Sequence, residues 1–190
     1  CLAVRSGVGI LDASTLGKID IQGPDAREFL NRIYTNAWMK LGIGKCRYGL
    51  MCGEDGMVMD DGVTTRLADD HFHMTTTTGG AAGALDWMEE WLQTEWPDLE
   101  VYLTSVTEQW AVATLSGPNA GKILQDTGID FDLSPAKFPF MSMKDGHIGG
   151  LAARIFRISF TGELSYEINV AARHGLALWT RLMNAGKAHG

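Results

Sequence analysis

Cysteine is scarce and unpatterned in this chain. The 190 residues contain three, Cys1, Cys46 and Cys52, an odd number with no CxxC pair. Such usage argues against a disulfide framework and against a structural zinc site, and it fits a reducing, cytoplasmic setting. Positive charge is also short: the formal net charge is −7, with no run of Lys or Arg long enough to track phosphates, which argues against nucleic acid as a partner. No apolar run approaches the roughly 20 residues of a membrane span, and the amino terminus lacks a basic segment followed by an apolar one, so no membrane is expected either. Missing too are a G-x-S-x-G nucleophile elbow, a Walker lysine and a dinucleotide fingerprint, which leaves acyl transfer unsupported and argues against nucleotide binding.

What is present is ordinary for a globular protein, with 45% apolar and 21% charged residues. Length alone allows one domain, or one domain and part of another, with a sizeable core. The opening Cys1-Leu2-Ala3-Val4-Arg5 reads as mid-chain sequence, and residues 184–190 stop just after a helical pattern. The expectation is a single domain, 1–190, cut from a longer polypeptide.

Residues 8–12 and 18–22 read as strands. Gly23-Pro24-Asp25 then opens a helix, with Pro in the first turn, where its missing N–H is harmless, and Ala26, Phe29, Leu30 and Ile33 at helical spacing. The Asp55-Gly56 pair predicts a hairpin that joins a strand over 47–51 to one over 57–65. The threonine-rich segment 72–78 is a further strand. A helix follows, with Ala82, Leu85, Met88, Leu92 and Trp96 on its inner stripe, then strands over 101–107 and 110–115. Ser116-Gly117-Pro118-Asn119 starts another helix, with Ile123 and Leu124 inward. Strands over 141–144, 150–159 and 165–170 precede a last helix marked by Leu176, Trp179, Leu182 and Met183. Residues 19–26 echo 113–120, so strand, Gly-Pro turn and helix are used twice. Hairpins mixed with single helices predict an α+β fold of largely antiparallel sheets with packed helices.

Counting by twos along 57–65 puts Asp61 on a face with Met57, Met59, Val63 and Thr65, and Asp60 on the other face. A carboxylate among apolar neighbours needs a hydrogen-bonding partner, which backbone N–H groups or a ligand would supply. Gly79-Gly80-x-x-Gly83 before a helix is either a phosphate cradle or a tight strand-to-helix turn. His71 and His73, alike in facing, are either a metal pair or solvated imidazoles at a hairpin end. Glu167 shares a face with Ser165 and Asn169. It either points to water or offers two acceptor oxygens to a ligand edge with adjacent N–H donors.

Several stretches in one order resemble the glycine-cleavage T-protein, or aminomethyltransferase, family. They are residues 9–14, Gly44-Lys45-Cys46-Arg47-Tyr48-Gly49-Leu50-Met51, residues 56–61 and Phe160-Thr161-Gly162-Glu163-Leu164-Ser165-Tyr166-Glu167. Residues 16–25 and 75–80 are similar, more closely, to the carboxyl-terminal half of alpha subunits of heterotetrameric sarcosine oxidases. The resemblance implies a tetrahydrofolate-binding fold. It places Asp61 beside the reactive nitrogens as the catalytic acid of the Asp-Asp pair, Glu167 on the pterin, and Tyr48, Leu16, Val63, Thr65, Thr75, Thr77 and Phe160 around the ligand. Phe160 and Thr77 depart from the T-protein pattern, which has tyrosine and asparagine there. The implied reaction moves the one-carbon unit of oxidised sarcosine to tetrahydrofolate, giving 5,10-methylenetetrahydrofolate and glycine. The alternative is a non-catalytic folate-binding or scaffolding module. FAD, FMN and NAD would belong to other regions and subunits of such a complex, and the 190 residues alone are expected to bind folate weakly or not at all.

Overall fold

The computed structural model describes residues 1–189; Gly190 lies outside the described residues. The chain divides into two compact units, one built from 1–14 and 108–190, the other from 15–107. Each is an antiparallel five-stranded sheet with helices on its apolar face, as the α+β reading expects.

The unit over 15–107 contains β2 (Gly17–Gln22), α2 (Ala26–Ile33), β3 (Cys46–Cys52), β4 (Val58–Ala68), β5 (His71–Thr76), α3 (Ala81–Thr94) and β6 (Tyr102–Ser105). Its strand order is β3-β4-β5-β2-β6. The four helical positions Ala26, Phe29, Leu30 and Ile33 are the buried residues of α2. Full burial of Phe29 or Leu30 is worth about 1.5–3 kcal/mol each. The helix ends where Tyr34 turns to extended backbone. In α3 the inner face is centred on Ala84 and Met88, while Ala82 is exposed. Leu85, Met88, Leu92 and Trp96 face the core as expected, and Trp87, Trp91 and Trp96 form an aromatic ladder that shields its edge.

The unit over 1–14 and 108–190 contains α1 (Leu2–Ser6), β1 (Gly9–Asp12), β7 (Trp110–Ser116), α4 (Ala120–Asp126), β8 (Ser142–Ile148), β9 (Leu151–Arg157), β10 (Ser165–Ala171) and α5 (Gly175–Gly186). Its order is β1-β7-β10-β9-β8. In α5 the buried residues are Leu178 and Leu182, whereas Leu176 is 80% exposed and Met183 46%. Spacing alone did not tell apart two overlapping apolar stripes on this helix.

The sequence echo is a structural one. Gly23 and Gly117 have φ of 126° and 132°, a region that penalises any Cβ, and each carbonyl accepts the N–H of Ala26 or Ala120 to start α2 or α4. One strand-turn-helix device thus serves each unit.

Candidate functional site

The predicted hairpin of β3 and β4 forms, with Tyr48 opposite Val63, Leu50 opposite Asp61 and Cys46 opposite Thr65. Side chains on one strand face alternate, so Asp61, Val63 and Thr65 share a face with Tyr48 and Cys46. Thr75 of β5 joins them, since its hydroxyl accepts the N–H of Val63 at 3.1 Å. Thr65 is fully buried and donates its hydroxyl to Cys46 Sγ at 3.1 Å. Leu16, half-buried, immediately precedes β2, and its carbonyl accepts from Lys18 Nζ at 2.7 Å.

The two adjacent acids differ from the expectation. The faces alternate as counted, but the core side of β4 is the polar one: Asp60, Thr64 and Arg66 are buried, whereas Met57 and Met59 are 69% and 46% exposed. Arg66 is tolerated inside because its guanidinium donates to the carbonyls of Leu41, Ala68 and Asp69 and to the Asp69 carboxylate. Asp61 is therefore the more open acid and Asp60, at 5% exposure, the enclosed one. Apolar content along so short a segment pointed to the wrong inner face. The signal available was Gly62, opposite Gly49 and so close to the Thr75 carbonyl that no Cβ fits there.

Asp61 accepts a hydrogen bond from the Tyr48 hydroxyl at 2.6 Å. That bond first, then partial burial and the carboxylate charge, holds the Tyr48 phenol above its ordinary value. Among the described residues no cation pairs with Asp61. Its carboxylate faces outward from the sheet and has lone pairs to spare, which suits proton transfer and the stabilisation of a developing cation.

Thr77 is exposed, just past β5, with its N–H donated to Asp60 Oδ1 at 3.0 Å and its hydroxyl accepting the Gly80 N–H at 3.1 Å. The glycine run is thus a strand-to-helix turn. A carboxylate already lies against it, since a Cβ on Gly80 would fall 2.6 Å from Asp60 Oδ2, and a phosphate there would meet like charge. His71 and His73 both bond Asp20, at 3.0 and 2.6 Å; His73 is buried, whereas a quarter of the His71 side chain stays exposed. Among the described residues no group of three or more His, Cys, Asp or Glu is placed to hold a metal ion.

Glu167 and Phe160 belong to the other unit. Glu167 lies on β10 between Thr114 and Phe156 and is partly buried, with Ser165 and Asn169 buried on its face and Tyr166, Ile168 and Val170 buried on the opposite one. Ser165 and Ser116 join hydroxyls at 2.7 Å one register step away. Phe160 is 98% exposed in the loop before β10.

Residues 1–190 match the model of the GCVT N-terminal domain. The chain belongs to the GCVT family. Within that family it is 57% identical over 188 residues to the sarcosine oxidase subunit alpha of Corynebacterium sp. (strain P-1), covering 98% of this chain and 19% of that one. It is 50% identical to the corresponding subunit of Rhizobium meliloti (strain 1021), again over 19% of its length. The aminomethyltransferase of Geobacillus sp. (strain WCH70) is 34% identical, covering 99% of this chain and 50% of that one. The GCVT chain thus spans about a fifth of the sarcosine oxidase subunits and half of the aminomethyltransferase. Among solved structures, aminomethyltransferase T of the glycine cleavage system from Bartonella henselae superposes with a TM-score of 0.82 at 27% identity, over 96% of this chain and 47% of that one. A chain of the heterotetrameric sarcosine oxidase from Corynebacterium sp. U-96 shares the fold, with a TM-score of 0.72 at 16% identity. No helix among the described residues is long and apolar enough to cross a membrane.

Proposed function

We propose that residues 1–190 belong to the tetrahydrofolate-binding region of a sarcosine oxidase alpha subunit, in the cytoplasm, and that Asp61 serves the transfer of a one-carbon unit there. The observation that carries this reading is an outward-facing carboxylate held by a phenol at 2.6 Å with no cation paired to it among the described residues. Oxidation of sarcosine elsewhere in the complex, with both electrons passing to its flavins, gives an imine of formaldehyde and glycine. Tetrahydrofolate supplies the nucleophilic nitrogens that take up the CH2 unit, releasing glycine.

The residues of this chain have separable tasks. Asp61 accepts the proton lost from the attacking nitrogen and opposes the positive charge that develops beside it, a contribution of roughly 10²–10⁴ in rate for general base catalysis. Tyr48 fixes the carboxylate by donating to it. Glu167 offers two acceptor oxygens to the amino and ring N–H donors of a 2-amino-4-oxopterin. Leu16, Val63, Thr65, Thr75, Thr77 and Phe160 are assigned to the walls on family resemblance. The high similarity to sarcosine oxidase subunits supports this reading over a scaffold without catalysis, and docking to the other subunits belongs to either.

The test is the full-length complex carrying Asp61→Ala. We expect 5,10-methylenetetrahydrofolate formed per sarcosine oxidised to fall at least about 100-fold. An unchanged ratio would sink the catalytic role. With Glu167→Ala, folate affinity measured by calorimetry should drop; affinity equal to the wild type removes the pterin clamp.

A further inference from the structure

The enclosed neighbour, Asp60, has no part in the proposed chemistry, yet it is a buried carboxylate bonded to the backbone of the candidate base. Its Oδ1 accepts two backbone N–H groups, that of Asp61 at 2.8 Å and that of Thr77 at 3.0 Å. Its Oδ2 is buried without a hydrogen-bond partner and packs against Gly80, the residue that begins α3. Burial, and next to it the Asp60 charge, pushes the Tyr34 phenol beneath the sheet far up.

A buried carboxylate with one unsatisfied oxygen costs stability unless its remaining bonds repay it. Here two bonds join β4, at the residue carrying the base, to the segment after β5, while Oδ2 packs against the start of α3. The partial positive charge of a helix amino terminus favours the acid at that spot. Apolar residues would have filled the volume at lower cost, so the placement of an acid calls for a reason connected with what it holds.

We infer that Asp60 is a positioning residue for one-carbon transfer, setting the backbone of Asp61 through its own N–H and locking it to Thr77 and Gly80. The inference rests on the proposed role of Asp61. Asp60 touches no reacting atom; it fixes the direction in which the Asp61 carboxylate leaves the strand. Gly80 is part of the device because a larger residue would drive Oδ2 away.

Three variants of the full-length complex test it: Asp60→Ala, Asp60→Asn and Asp60→Ala in an Asp61→Asn background, each checked for an unaltered thermal transition. Asparagine retains a carbonyl oxygen that accepts both N–H groups. Asp60→Ala should lower kcat for methylenetetrahydrofolate formation by about tenfold or more with the folate KM within about threefold, and Asp60→Asn should restore most of it. Because Asp60 acts through Asp61, its removal should cost nothing further once Asp61 is Asn. An equal loss in both backgrounds, or no loss in a folded Asp60→Ala protein, overturns the inference. A second readout is independent of turnover. The Tyr48 phenol, identified by difference against Tyr48→Phe, should titrate closer to its ordinary value of 10.0 in Asp60→Ala, because Asp61 no longer meets it squarely. An unshifted Tyr48 also overturns the inference. Normal turnover by Asp61→Asn alone would instead refute the catalytic reading of Asp61, and the Tyr48 titration would still decide whether Asp60 orients it.

Discussion

The two units repeat one plan, with a strand, Gly-Pro turn and helix in second place and an antiparallel hairpin at the far edge of each sheet, β3-β4 in one and β8-β9 in the other. The hairpins differ in how they treat an acid. In β8-β9, Asp145 sits directly opposite Arg154 and its carboxylate is bonded by Nε at 3.0 Å, while the guanidinium stacks over Trp110 at 5.2 Å. In β3-β4, Asp61 sits directly opposite Leu50 and takes its hydrogen bond from the phenol of Tyr48. Both acids have a partner, but only one is neutralised. An acid matched by a guanidinium is a finished surface ion pair; an acid held by a neutral donor keeps a charge to spend on something that arrives.

Giving Asp61 the partner that Asp145 has should abolish that difference. Leu50→Arg places a guanidinium at the cross-strand position occupied by Arg154 in the other hairpin. Methylenetetrahydrofolate formation by the full-length complex should fall by about 100-fold, as far as general base catalysis is lost, with little change in thermal stability. A variant that turns over normally would show that the bare charge on Asp61 is not what the reaction uses. Tyr48→Phe perturbs the same contact more gently, leaving the charge and removing the donor that aims it. We expect about a tenfold fall in kcat with folate KM nearly unchanged; a change confined to KM would make Tyr48 a wall of the ligand site instead.

Much of this contrast was legible in the sequence, and the part that was not has a physical cause. Gly-Pro turns and the Asp55-Gly56 pair set φ constraints that few residues meet, so the sequence alone locates the hairpin and both turn-helix units. The faces of β10 were also correctly divided, because Tyr166, Ile168 and Val170 are apolar and buried. The inner face of β4 differs from the expectation since its apolar residues lie at the exposed tip and its buried ones are polar, Asp60 bonded to the Thr77 N–H and Arg66 to the Leu41 carbonyl, both well removed in sequence. Long-range backbone partners leave no local periodicity. The same blindness applied to His71 and His73, whose shared acceptor Asp20 lies on a neighbouring strand about fifty residues away.

Asp20 supplies the smallest effect and the last test of the comparison, since each unit also holds an acid bonded to histidine. Burial on its own would raise the Asp20 carboxyl, but hydrogen bonds and charge from His73 and His71 together outweigh it and leave the group below its ordinary 3.8. In the other unit, Asp130 is lowered chiefly by the backbone N–H of His147, then by its ring, at an exposed site. A carboxyl lowered in the folded state adds stability that is fully present above its ordinary value and disappears as pH falls through the folded value. Urea unfolding of the chain should therefore separate Asp20→Asn from the wild type at pH 6, and the two curves should converge as pH drops below about 3.8. Asp130→Asn should follow the same sign with a smaller gap, because solvent screens an exposed pair. If Asp20→Asn stays equally destabilised at every pH, its bonds to the two imidazoles contribute through packing and not through charge.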